Sequence, residues 1–167
     1  LEHALEFVNE VRGVKFIDDS KSTNVASLKA ALESFPSIEP VWNGKNGNVI
    51  LIMGGRDKGN DYAPLKPLVQ KKVNHLVLIG ESAEKIQNSI GGYTSSHRAA
   101  TMEDAVWLAY SLAKSGDTVL LSPACASFDM FTNYAERGVI FKGAVRKIAE
   151  AELDAGLSSI QHPASSI

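Results

Sequence analysis

The sequence predicts an α/β domain: a doubly wound, mostly parallel Rossmann-like sheet with helices on both faces and a hairpin at the N-terminus. Three observations predict it. Residues 49–53, 75–79 and 118–121 are near-continuous apolar runs of strand length, and a run without alternation marks a strand buried on both faces. Helical patterns lie between these runs, and strand–helix alternation with no shift in composition is the order of a doubly wound sheet. Each run stops at a turn former, Gly54-Gly55, Gly80 or Ser122-Pro123, which leaves the strand ends free to carry loops.

Each element has its own signal. Glu6-Phe7-Val8-Asn9 and Val14-Lys15-Phe16-Ile17 are short strands joined around Arg12-Gly13, a hairpin pattern. Over 25–35, Val25, Leu28, Ala31, Leu32 and Phe35 recur at helical spacing. Thr23 or Asn24 supplies the N-cap and Pro36 the stop. Residues 40–48 form a loop rich in Asn and Gly. A short helix is expected over 64–72 and another over 82–90, with Ala83 and Ile86 inward. Thr101 caps a helix over 102–114, with Val106, Ala109, Tyr110 and Ala113 on one face. Residues 131–152 are mostly helical, with a break expected at Gly138. The domain is expected to cover 1–156, with 157–167 a polar, loosely ordered tail.

The chain has 167 residues, enough for one core. Its net charge is −2, so no global basic field points to nucleic acid. One cysteine, Cys125, rules out an internal disulfide and a thiolate zinc site, and a reducing, cytoplasmic setting is expected. The four histidines have no metal-ligand spacing, and no apolar run reaches membrane-spanning length. The start, Leu1-Glu2-His3, lacks both an initiator Met and a signal-peptide pattern, and a fragment of a longer chain is expected.

Chemistry in an open α/β sheet belongs beyond the carboxyl ends of the strands. Three loops there carry unusual residues: Asp18-Asp19-Ser20-Lys21-Ser22-Thr23-Asn24, Gly54-Gly55-Arg56-Asp57-Lys58-Gly59, and Ser122-Pro123-Ala124-Cys125-Ala126-Ser127-Phe128-Asp129. The first sets a lysine and hydroxyls before a helix N-terminus, a place that favours anions. In the second, glycines let backbone approach a ligand, with Arg56 and Lys58 as cations. The third offers Ser127 as a donor, with Cys125 expected to be buried and inert. Singly, each has a plainer reading: a capped helix, a charged loop, or tight strand–helix packing. Together they predict a positively charged pocket for a small dicarboxylate or a phosphate. Neither G-x-x-x-x-G-K-[ST] nor G-x-G-x-x-G occurs, so the usual nucleotide fingerprints are absent from this chain.

At these loops the sequence resembles the C-terminal domain of the Mur ligases. Asp19 to Asn24, Gly54 to Gly59 and Leu121 to Phe131 carry the resemblance, continued by Asn133-Tyr134-Ala135-Glu136-Arg137-Gly138. The third motif is characteristic of the D-glutamate-adding member. The resemblance implies an ATP-dependent ligase of peptidoglycan precursor synthesis, in which UDP-N-acetylmuramoyl-L-alanine is activated as an acyl phosphate and attacked by the amine of D-glutamate. It implies that Lys21 is catalytic, near the amino acid and the reacting phosphate. Thr23, Lys58, Ser127, Phe128 and Tyr134 fall on the amino-acid side. Asp19, matching an acid on the nucleotide ribose, and Asn24 fall on the nucleotide side. It also implies ATP and Mg2+ as cofactors, bound mainly by N-terminal and central domains outside this chain, and no activity from this part alone. One position departs: the family usually has Arg after His3, and here it is Ala4. The alternatives are another Mur ligase, a folylpolyglutamate synthetase, or a stand-alone small-anion-binding module.

Overall fold

The computed structural model describes residues 1–37 and 47–161, with side chains to 157. The strands are β1 (Glu6–Val11), β2 (Val14–Asp18), β3 (Val49–Gly54), β4 (Val73–Ile79), β5 (Ser95–Arg98) and β6 (Thr118–Leu121). The helices are α1 (Val25–Glu33), α2 (Lys66–Lys72), α3 (Ala83–Ile90), α4 (Met102–Leu112) and α5 (Tyr134–Gln161). One six-stranded sheet has the order β1-β2-β6-β3-β4-β5. Within that sheet the β1–β2 pair is antiparallel and the other strand pairs are parallel.

The chain moves outward from β3 through β4 to β5, then returns to set β6 between β2 and β3. That insertion buries β3 and β6 completely, and their unbroken apolar runs follow from having helices on both faces. On one face, Leu28 and Leu32 of α1, Val69 of α2 and Ile86 and Ile90 of α3 pack on Leu51, Met53, Leu76, Leu78 and Leu120. On the other, Ala105, Val106 and Ala109 of α4 and Phe141, Val145 and Ile148 of α5 cover Phe16, Ile50, Ile52, Val77 and Val119.

The caps are local chemistry. Asn24 Oδ1 accepts the Ser27 N–H at 2.8 Å, and Thr101 Oγ1 accepts the Asp104 N–H at 3.1 Å, each satisfying a free helix donor. The far end of α1 is closed from a distance: buried Lys72 sends its Nζ to the carbonyls of Leu32, Glu33 and Phe35, where a cation also suits the helix dipole.

One expectation changes, and one element has no counterpart among the expectations. The helix at the C-terminus runs through Gly138 without a break. Gly138 serves close approach instead: a Cβ there would overlap the His3 ring and the Asp18 carboxylate. β5 is an element for which the sequence carries no expectation, since Ser95-Ser96-His97-Arg98 has no apolar signal. It forms because β4 offers it an open edge, with Leu76 opposite Ser96 and Val77 opposite His97. Most of the 40–48 loop and the end of the tail lie outside the described residues.

Candidate active site

β2, β6 and β3 are neighbours in the sheet, so the loops that follow them emerge side by side at one edge. The reversal of winding at β6 and β3 opens the crevice in which α/β sheets hold ligands. Backbone hydrogen bonds lace the three loops together. The Asp19 N–H donates to Leu121 O at 2.8 Å, Ala124 N–H to Ser22 O at 3.1 Å, Gly54 N–H to Pro123 O at 3.0 Å and Arg56 N–H to Ala126 O at 2.9 Å. Gly54 has φ 121°, and a Cβ there would run into the Ile79 carbonyl; only glycine lets this turn press on β4. Ala124, buried, holds φ 58° without that freedom, a local strain of the kind found at functional loops.

Beneath the loops lies a layer of buried polar groups. Asp18 Oδ2 is 2.6 Å from His3 Nδ1, and its Oδ1 accepts the Ser20 N–H at 2.9 Å. Asp19 is 7% exposed, with Oδ1 accepting the Leu5 N–H and Oδ2 accepting the Ser122 hydroxyl at 2.7 Å. Burial pushes the Asp19 carboxyl above the ordinary carboxylate range, against those two hydrogen bonds. Arg137, fully buried, donates to Ser20 and Cys125. Cys125 is buried as expected, its thiol 3.2 Å from Tyr62 Oη and 3.4 Å from Ser82 Oγ. Burial raises its pKa, which disfavours the thiolate a nucleophile needs.

The surface cations divide into two sets. Arg56 pairs with Glu81 at 3.5 Å and Lys85 with Asp57 at 2.5 Å. Lys21 and Lys58 are exposed, and among the described residues neither forms an ion pair with a carboxylate. Lys58 Nζ stands 5.9 Å from the centre of the Phe128 ring, so the second and third loops meet there. Lys21 lines a cavity of about 420 Å³ with Ala4, Leu5, Asp19, Ser22 and the Ser27–Ala31 face of α1. Ser22 Oγ is buried at this cavity and, among the described residues, has no hydrogen-bond partner, an exception among buried polar groups.

The remaining expected residues are placed as follows. Thr23 is exposed at the start of α1, and Asn24 spends its side-chain oxygen on the helix cap. Ser127 is buried, and its carbonyl accepts the Met130 and Phe131 N–H groups. Tyr134 opens α5, with its carbonyl taking the Ser20 hydroxyl at 2.6 Å and its ring edge-on to His3. Sequence reasoning missed the buried partners His3, Asp18, Ser82 and Arg137. Arg137 lay inside a recognised motif, and the oddity of a charged residue on an inward helix position was the available signal.

His3, Glu6 and Asp18 bring ligand-type atoms within 4.8 Å of one another. Those atoms already serve the chain, since Glu6 accepts from Lys142 and from the His3 N–H while Asp18 holds the His3 ring. A separate cavity of about 460 Å³ lies between β1 and α5, lined by Val8, Val145, Ala149 and Leu153 among others. It is remote from the strand ends and takes no part in the site.

Comparison with known proteins shows the family and the fold. Residues 5–125 match the profile described as "Mur ligase, glutamate ligase domain". A UDP-N-acetylmuramoylalanine–D-glutamate ligase of Geotalea daltonii is 51% identical over 149 residues, 89% of this chain and 31% of the relative. A protein of the same name from Salinibacter ruber is 50% identical over 147 residues, 87% of this chain and 30% of the relative. The chain thus spans about a third of the length of these relatives. Two solved structures share the fold. One is a bifunctional folylpolyglutamate synthase/dihydrofolate synthase from Yersinia pestis (TM-score 0.58, 15% identity, 86% of this chain and 31% of that one). The other is the MurF ligase of Thermotoga maritima in complex with ADP (TM-score 0.55, 14% identity, 89% and 32%).

Proposed function

The chain belongs to the Mur ligase family, as its glutamate ligase domain, and on that premise we propose that it is the amino-acid-binding part of an ATP-dependent ligase that adds D-glutamate to UDP-N-acetylmuramoyl-L-alanine. The observation that carries this reading is the pair of exposed lysines, Lys21 and Lys58, which pair with no carboxylate among the described residues, at the edge where β2, β6 and β3 end. D-glutamate brings two carboxylates and one amine. Lys58 and Ser127 hold its side-chain carboxylate, with Phe128 and Tyr134 closing that end. A charge-assisted hydrogen bond both orients a carboxylate and selects a dicarboxylic amino acid.

Thr23 and Lys21 stand toward the reacting centre. Lys21 there stabilises negative charge as it develops on phosphate or on the tetrahedral carbon, and holding the amine beside the activated carbonyl supplies much of the rate. ATP supplies the activation of the precursor carboxylate as an acyl phosphate. The cavity beside Lys21, lined also by Asp19 and by Ser22, whose hydroxyl has no partner among the described residues, fits the edge of a nucleotide, with Asn24 following in the same loop. Magnesium does not fit the described residues, because the carboxylates near this cavity are spent on internal hydrogen bonds. Its ligands, and those for the UDP precursor, belong to N-terminal and central domains. Among the described residues no helix is long and apolar enough to cross a membrane, and we place the enzyme in the cytoplasm.

The test is a ligation assay on the full-length enzyme, following phosphate release with D-glutamate, L-glutamate, L-lysine and meso-diaminopimelate in turn. D-glutamate should be strongly preferred. Losing one hydrogen bond to a charged group costs about 1.5–3 kcal/mol, so Lys58→Ala should raise the D-glutamate KM by about tenfold or more. Equal turnover of a neutral or basic amino acid would refute the assignment.

A further inference from the structure

We propose that Arg137 is the positioning residue of the amino-acid side of this site, holding the loop of Lys21 and Thr23, the segment of Ser127 and the start of α5 at Tyr134 in one mutual register. The inference rests on the ligase reading above and names what aligns its residues. The Arg137 side chain is fully buried. Its Nε donates to Ser20 Oγ at 2.9 Å and its Nη2 to Ser20 O at 2.7 Å, while Nη1 donates to Cys125 O at 2.9 Å. Ser20 Oγ in turn donates to Tyr134 O at 2.6 Å. One guanidinium therefore ties the loop after β2 to the loop after β6, and a shared hydroxyl adds the first residue of α5.

Stability alone is a weak reason for such a residue. A buried cation is tolerated only when its hydrogen bonds are made, and an apolar side chain of similar volume commonly does as well for folding. Among the described residues no carboxylate forms an ion pair with Arg137. Burial lowers its pKa to about 10, which still leaves it charged at neutral pH. What a planar fork adds is fixed direction: three donors reach three acceptors on two segments, which a single ammonium on a flexible stem does not reproduce. The two segments are Ser20, next to Lys21, and Cys125, two residues before Ser127. Asp19, on the nucleotide side, has side-chain partners of its own in the Leu5 N–H and the Ser122 hydroxyl, whereas the Ser127 segment and the start of α5 are tied in through Arg137 and Ser20, so the amino-acid side depends on the guanidinium more than the nucleotide side does.

That difference sets the experiment. In the full-length ligase, Arg137→Lys and Ser20→Ala are compared with wild type for KM of D-glutamate, KM of ATP, kcat and thermal midpoint. Misplacement of a positioned group by about 1 Å can cost about a hundredfold, so Arg137→Lys should raise the D-glutamate KM and lower kcat by about tenfold or more, with the ATP KM within about twofold. Ser20→Ala, which keeps both carbonyl contacts, should move the same parameters in the same direction by less. It carries the test if Arg137→Lys does not fold. A folded variant with an unchanged amino-acid KM would overturn the inference. So would losses spread equally over both substrates in step with the thermal midpoint, the mark of a purely structural arginine. If the wild type proves to use another amino acid, the substrate assignment fails by itself, and the same split is read with that amino acid.

Discussion

Asp57 lies in the second loop, and its ionisation is a property of individual contacts. Burial pulls its carboxyl upward, but hydrogen bonds from Lys85, the Asn60 N–H and Tyr62 outweigh this and hold its pKa below the ordinary value of 3.8. A lowered carboxylate pKa contributes stability above the unfolded value, and that stability is lost as pH falls through the folded one. Asp57→Asn should therefore be less stable than wild type at pH 7, and the gap should narrow as pH drops below 3.8. Denaturant titrations of both proteins at several pH values would show this, and a gap that widened in acid would contradict it. Asp19 has the opposite sign. Its raised pKa means that folding is favoured when it is protonated, and that help disappears as pH rises through its folded value. The two acids, one under each side of the site, thus respond to pH in opposed directions. Asp19 could be singled out in the sequence because a motif marked it. Its internal partners, Leu5 and Ser122, could not, since they lie 14 and 103 residues away.

At the scale of elements, α5 shows how a misread signal can hide a constraint. Glycine within a helical pattern costs about 1 kcal/mol relative to alanine, and that ordinary penalty is why a break was expected at Gly138. The helix continues because the glycine is where α5 meets His3 and Asp18. Gly138→Ala should improve helix propensity and still destabilise the protein, since overpacking costs about 1–3 kcal/mol. Thermal or chemical denaturation measures the balance, and a variant at least as stable as wild type would show that the contact can relax freely. The hairpin, α1 and α4 were legible because their caps, turns and periodicity are local. β5 was not, because its four polar residues gain strand structure only from the edge of β4.

Across the whole molecule, the sheet order explains why three loops far apart in sequence form one site. Insertion of β6 between β2 and β3 brings residues near 20, 57 and 127 to one edge, and the buried layer of Asp18, Asp19, Ser122 and Arg137 locks them. The chain covers about a third of its relatives, and in this reading the activating half of the chemistry lies on other domains. The isolated 167-residue chain should therefore fold cooperatively but release no phosphate from ATP in the presence of D-glutamate and UDP-N-acetylmuramoyl-L-alanine. Turnover by this part alone, measured against the full-length enzyme, would show that the division of labour is wrong. Closing of domains over substrate assembles such sites, so D-glutamate should bind this part more weakly than it binds the full-length enzyme.

Apolar runs, turn formers and helix caps are short-range facts, and from them the α/β class, the parallel core strands and the three loops at their ends could be read directly. The resemblance carried by those loops led to the family as well. Strand order, the edge strand β5, the continuity of α5 through Gly138 and the burial of Arg137 could not be read in this way. Each depends on which segments meet after long loops close, and a pairing between residues 20 and 137 leaves no period or spacing in the chain. One buried guanidinium, Arg137, joins the loop that carries Lys21 to the loop that carries Ser127.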